Sequence, residues 1–292
     1  MQRRSTPAYQ GRRLPRPDEE LTDQGLGFDL ATILGRRQLL RAVGAGAATL
    51  GIAACTEQPV TRPGSAAPSR SVARPEASQS AALPAEIPEE TQGPFPGDGS
   101  NGPDILERSG VIRKDIRSSL GSSRLAEGVP LDLDLTIHDL SADGRPLTGA
   151  AVYIWQCDSV GRYSMYGDGV TQETFLRGVQ ITDSSGRVGF TSVFPGCYPG
   201  RWPHIHFEIY PDRASITDHD TVLVTSQLAF PQDVCETVYD LAAYGRSATH
   251  LSGVTLTSDM VFRDDQAALQ TATVSGNVAA GYRAALTVSI TA

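Results

Sequence analysis

Leu131-Asp132-Leu133-Asp134-Leu135-Thr136-Ile137 is the stretch that decides the fold. Apolar and polar residues alternate with a period of two, which marks a strand with one buried face and one wet face. Segments with strand character recur at Ala150–Gln156, Phe175–Thr182, Val188–Phe194, His204–Tyr210, Val222–Leu228, Val254–Phe262, Thr271–Val274 and Ala284–Ile290. Turn sequences such as Ala142-Asp143-Gly144-Arg145-Pro146 and Asp183-Ser184-Ser185-Gly186 separate them. A single short helix is expected over Gln232–Tyr244. About nine strands without βα alternation predict an all-β domain, a β-sandwich or barrel-like sandwich, over residues 89–292.

The composition agrees. Of 292 residues, 40% are hydrophobic and 20% charged, with 29 Gly and 19 Pro, which excludes a coiled coil, a collagen-like chain and a wholly disordered one. The net charge of −8 argues against a nucleic-acid partner. That average hides a split, because residues 1–55 carry eight Arg against five acids.

The basic end reads as an address. Gly35-Arg36-Arg37-Gln38-Leu39-Leu40-Arg41 precedes a small-residue apolar run, Ala42 to Ala54, that ends at Cys55. A charged region, a mild apolar region and small residues before a cut site describe an export signal. The arginine pair resembles a twin-arginine signal, although the usual Ser/Thr before the pair and Phe after it are missing. Ile52-Ala53-Ala54-Cys55 resembles a lipobox, which would place a lipid on Cys55. The expectation is an exported protein, lipid-anchored at the cell membrane or released outside it, with the lipid as its sole membrane contact. The apolar run is too short for the roughly 20 residues of a membrane span. Residues 56–88, rich in Pro, Ser and Ala, read as a disordered tether.

The chemistry concentrates in Pro195-Gly196-Cys197-Tyr198-Pro199-Gly200-Arg201-Trp202-Pro203-His204-Ile205-His206-Phe207. On a strand, His204 and His206 share one face at a Cα spacing of roughly 7 Å and can converge on one ion, while Ile205 and Phe207 face the other way. A His-x-His pair alone is a weak signal, and a cupin would place Gly where Tyr198 stands. Tyr198 lies in a constrained turn just upstream, and Tyr163 in Gly161-Arg162-Tyr163-Ser164. Two phenolates with two imidazoles suit a hard ferric ion better than zinc or copper. Packing tyrosines are the ordinary alternative.

Taken in order, several blocks carry a resemblance: Thr91-Gln92-Gly93-Pro94-Phe95-Pro96, Arg113-Lys114-Asp115-Ile116-Arg117, Gly149 to Asp158, Gly161 to Ser164, Phe175-Leu176-Arg177-Gly178 with Thr182-Asp183, Pro195-Gly196-Cys197-Tyr198, Arg201 to His206, and Thr225-Ser226-Gln227-Leu228. Together they resemble the intradiol ring-cleavage dioxygenases, the family of protocatechuate 3,4-dioxygenase and catechol 1,2-dioxygenase, and most nearly its exported single-domain branch. The resemblance implies one non-haem Fe(III) per chain, with Tyr163 and His206 as equatorial ligands and Tyr198 and His204 as axial ones. It implies that Arg201 lies beside the bound catecholate and that Gln227 lines the site. A catechol-type ring would be opened by O2 between its hydroxyl-bearing carbons, giving a cis,cis-muconate-type dicarboxylate. The helical dimerisation region of catechol 1,2-dioxygenases has no counterpart, and an oligomer is compatible with the reading.

Besides Cys55 there are three cysteines, which in an exported chain suggests one bridge and one odd thiol. Cys197–Cys235 is the expected pair, with three ordinary buried thiols as the alternative. Two other functions stand beside the dioxygenase. One is a zinc hydrolase or lyase using His204, His206 and a third histidine (His138, His219 or His250). The other is a metal-free sandwich module for adhesion or carbohydrate binding.

Overall fold

A computed structural model describes residues 83–292, together with a two-residue antiparallel pairing of Ala8–Tyr9 with Arg12–Arg13. The arginine pair, Cys55 and residues 56–82 of the expected tether lie outside the described residues.

Nine strands build the domain: β1 (Pro130–Asp139), β2 (Arg145–Pro146), β3 (Ala151–Trp155), β4 (Arg177–Ile181), β5 (Arg187–Val193), β6 (His204–Tyr210), β7 (Val224–Ala229), β8 (Thr273–Asn277) and β9 (Gly281–Ile290). They form two sheets. In the first, the order runs β8-β9-β1-β2, and β5 also pairs with β1. The β1–β9 pair is parallel, with Leu135 opposite Leu286, and the other pairings are antiparallel. The second sheet, β4-β3-β6-β7, is antiparallel throughout.

Alternation in β1 does what its sequence predicts. Leu131, Leu133, Leu135 and Ile137 are buried and meet Val152, Ile154, Ile205, Phe207 and Ile209 from the second sheet in one core. Each fully buried Leu or Ile of this kind contributes roughly 1.5–3 kcal/mol. The second sheet is buried on both faces. Its outer side, with Ala151, Tyr153, Trp155 and Tyr210, packs against Phe95, Ile105, Leu106 and Tyr163 from the connecting segments. That outer face is where the site lies.

Three expectations need correction. Val254–Phe262 is not a strand but a run of turns. Its apolar residues mimic alternation, but side chains capture the backbone: Ser258 and Thr255 cap each other's N–H groups, and Asp259 accepts from Val261 N and Phe262 N. The helix expected over Gln232–Tyr244 ends early. It divides into α1 (Gln232–Tyr239) and a 3-10 turn at Ala242–Tyr244, and α2 (Ser247–Ser252) follows. The chain also enters the fold before residue 89, because Ile87 is buried and donates its N–H to Ser289 O at 2.9 Å. Among the described residues, no helix is long and apolar enough to cross a membrane.

Candidate metal centre and its surroundings

Strand β6 carries two jobs on two faces. Ile205, Phe207 and Ile209 enter the sandwich core, while His204, His206, Glu208 and Tyr210 point outward, all of them buried. Pairing fixes the register: His206 lies opposite Trp155 on β3 and opposite Gln227 on β7. The Trp155 indole stacks on the His206 imidazole, 4.8 Å between centroids and 5° between planes.

Two turns bring the tyrosines. Asp158 organises the first, accepting from Val160 N, Arg162 N and Arg162 Nε. The second is the Pro195–Gly200 turn, pinned by α2: Ser247 Oγ accepts from Cys197 N at 3.0 Å, and His250 Nδ1 donates to Cys197 O at 2.7 Å. Gly196 passes so close to Ser159 that a Cβ there would lie 2.6 Å from its carbonyl oxygen.

The four expected ligands converge. Tyr163 Oη lies 3.4 Å from Tyr198 Oη and 3.3 Å from His204 Nε2. His204 Nε2 is 3.1 Å from Tyr198 Oη and 3.1 Å from His206 Nε2. His204 Nδ1 faces the Trp202 carbonyl, which can only accept, so the ring proton sits there and Nε2 turns a lone pair to the cluster. Burial holds both imidazoles neutral, His204 down to about 3 and His206 well below its ordinary value, with the Arg201 charge helping. Burial likewise pushes both phenols up, and for Tyr163 the neighbouring Tyr198 adds to it. Two hard phenol oxygens and two imidazole nitrogens aimed at one point form a donor set that fits trivalent iron, whose charge would reverse the penalty on the phenolates.

Among the described residues, no three His, Cys, Asp or Glu side chains gather to hold a metal. The zinc reading therefore fails. His138 Nδ1 and His250 Nδ1 bond backbone carbonyls elsewhere, and His219 sits beside Asp220 on the surface. The Cys197–Cys235 bridge is also corrected, since Cys157, Cys197 and Cys235 are free, buried thiols. Burial raises all three, Cys197 to about 12, and the Cys197 thiol donates to Arg201 O at 3.5 Å.

Arg201 and Gln227 stand together as expected: Arg201 Nη2 donates to Gln227 Oε1 at 2.6 Å. An open cavity of about 660 Å³ adjoins Tyr198, with Arg162, Arg246 and His250 among its lining residues.

The sequence profile of a family described as dioxygenase matches residues 101–263, more than half of the chain. The chain belongs to the intradiol ring-cleavage dioxygenases. It is 37% identical over 81 residues to catechol 1,2-dioxygenase of Candida albicans, covering 27% of each chain. It is 32% identical over 127 residues to the protocatechuate 3,4-dioxygenase beta chain of Burkholderia cepacia, 39% of this chain and 52% of that one. These matches span about a quarter to a half of those relatives. An intradiol ring-cleavage dioxygenase from Tetranychus urticae superposes with a TM-score of 0.53 at 26% identity, covering 65% of this chain and 90% of the other.

Several residues that hold this dioxygenase site together escaped the sequence reading as site residues. Arg177 is fully buried and donates to Phe95 O, Pro96 O, Tyr153 Oη, Ser164 O and Ser164 Oγ, tying the segment before β1 to the neighbour of Tyr163. Gly93 runs beside the His206 ring in a left-handed conformation, φ +69°, that favours glycine. Glu208 accepts from Tyr210 Oη at 2.9 Å, and burial with Asp98 nearby raises it to about 8. Asp259 is the fourth. Only Arg177 and Gly93 stood in recognisable blocks.

Proposed function

We propose that the protein opens a catechol-type ring between its two hydroxyl-bearing carbons with O2, giving a cis,cis-muconate-type dicarboxylate. The observation that carries this reading is the convergence of Tyr163, Tyr198, His204 and His206, with Arg201 acting electrostatically on both phenols. These four residues would hold one Fe(III), which when bound supplies Lewis-acid and redox activation of the catecholate toward O2.

Tyr163 is deeply buried and Tyr198 only partly, so Tyr198 is the phenol a substrate entering from the open cavity meets first. In its phenolate form, its oxygen would accept a proton from the catechol and become the neutral phenol. Arg201, permanently charged and nearly buried, stabilises negative charge that develops on the ring. Trp155 holds the His206 ring in plane, and Phe262 closes one side of the arginine, with its ring centroid 5.9 Å from the guanidinium carbon.

Anaerobic addition of catechol to the iron-loaded protein should shift its visible absorption. Admitting O2 should then consume one O2 per catechol and release the dicarboxylate. Absence of both responses with catechol, hydroxyquinol and protocatechuate overturns the proposal. Arg201→Ala should keep iron and resting colour while turnover falls roughly 10²–10³-fold, the cost of one transition-state donor. We also propose, from the arginine pair and the lipobox-like Ile52-Ala53-Ala54-Cys55, that the protein is exported and lipid-anchored through Cys55; Cys55→Ser should move it out of the membrane fraction, and an unmoved distribution overturns the anchor.

A further inference from the structure

Asp259 lies in the run of turns after α2, fully buried, and all of its acceptor capacity is committed to two tasks. Oδ1 accepts from Val261 N at 2.8 Å and Phe262 N at 3.0 Å, which ties the carboxyl to its own turn. Oδ2 accepts from Arg201 Nε at 3.0 Å and from Trp202 N at 2.6 Å. Four donors on two oxygens leave the carboxylate no freedom to rotate. Gln227 Oε1 takes Arg201 Nη2 at 2.6 Å, and Gln227 is itself held by its Nε2 bond to Thr91 O at 2.9 Å. The ring of Phe262, whose N–H Asp259 caps, lies against the guanidinium.

Two acceptors, on Nε and Nη2, and a flanking ring define the plane of the fork. Among the described residues Nη1 has no partner, so its two N–H groups remain for a ligand. We infer that Asp259 is a positioning residue for Arg201: it sets the plane of the guanidinium beside the Tyr163–Tyr198–His204–His206 cluster and leaves Nη1 available to substrate. The carboxylate also balances the guanidinium charge. Arg201 therefore brings a fixed donor to the centre as one half of a charge-paired unit. A lysine could not replace it, because one ammonium cannot reach Asp259 and Gln227 in the same planar arrangement.

The inference rests on the catalytic reading of Arg201, and the variants separate the two. Asp259→Asn keeps shape but presents an amide to Arg201, while Asp259→Ser keeps an oxygen for the turn and removes the carboxylate. Each is compared with Arg201→Ala and with the Arg201→Ala/Asp259→Ser double variant. Iron content and the visible band are measured on every protein, and turnover is expressed per bound iron. Both single Asp259 variants should retain iron and resting colour, with kcat per iron down about 100-fold, the scale for misplacing a catalytic group by about an ångström. The double variant should fall no further than Arg201→Ala, within about threefold, because Asp259 acts through the arginine.

Wild-type turnover per iron in Asp259→Ser, or an additive loss in the double variant, overturns the inference while leaving the arginine's role intact. Loss of iron from both Asp259 variants when Arg201→Ala keeps its iron also overturns it, since the carboxylate would then serve the ligand cluster directly. Wild-type turnover in Arg201→Ala instead removes the catalytic reading on which the inference stands.

Discussion

A carbonyl oxygen settles the tautomer of His204. Because Trp202 O can only accept, Nδ1 carries the proton and Nε2 offers its lone pair to the centre. His206 has no such anchor: its Nδ1 has no hydrogen-bond partner among the described residues, and the ring is held by stacking on Trp155 and by register with Gln227. Tyr163 is packed 5.1 Å from Phe95, centroid to centroid, so losing its hydroxyl leaves the packing in place. Tyr163→Phe and His206→Ala should therefore fold, and each should lower iron affinity at least about tenfold and bleach the phenolate-to-iron absorption. Metal analysis with a visible spectrum checks this; full iron and full colour in both variants rejects the ligand assignment.

At the scale of elements, legibility followed how local the signal was. Strand β6 was readable because period-two alternation is set within seven residues, and the same alternation placed both histidines on one face. Tyr198 was readable because Pro and Gly constrain its turn. Arg177 and Asp259 were not, because their partners are remote: Arg177 reaches back to Phe95 and Pro96, and Asp259 reaches Arg201 across 58 positions. Val254–Phe262 misled for a related reason. Its alternation is real, but Thr255, Ser258 and Asp259 satisfy the backbone without a strand partner. Arg177 shows what such a remote tie does. Five neutral acceptors hold its guanidinium between the entering segment and the Tyr163 loop. Arg177→Lys keeps the charge but cannot reach all five. It should cost on the order of 3 kcal/mol, the scale of a buried polar group left unsatisfied, and should weaken iron binding by loosening Ser164. Thermal melting of the metal-free protein and an iron titration test both parts; unchanged values exclude the tie.

Across the whole molecule, buried titratable groups pull stability in opposite directions with pH. In the metal-free protein the Glu208 and Glu90 carboxyls are raised to about 8, by burial first and by neighbouring Asp98 and Asp264 second. Between their usual 4.5 and about 8, the native state keeps protons that the unfolded chain has released, so stability falls as pH rises. Fully buried Glu208 carries the larger share of this slope and half-buried Glu90 the smaller. His204 and His206 act the other way. Their native values are lowered, so below their usual 6.5 the unfolded chain takes up protons that the native state refuses, and stability falls as pH drops. From about 4.5 to 6.5 the two pairs oppose each other, and from 6.5 to 8 only the carboxyls act. The metal-free Tm should thus be nearly flat from pH 5 to 6.5 and decline from pH 6.5 to 8. Glu208→Gln, which keeps the shape without the ionisation, should remove more than half of that decline. A Glu208→Gln protein whose Tm falls over pH 6.5–8 as steeply as the wild type would show that the buried carboxyl is not the source.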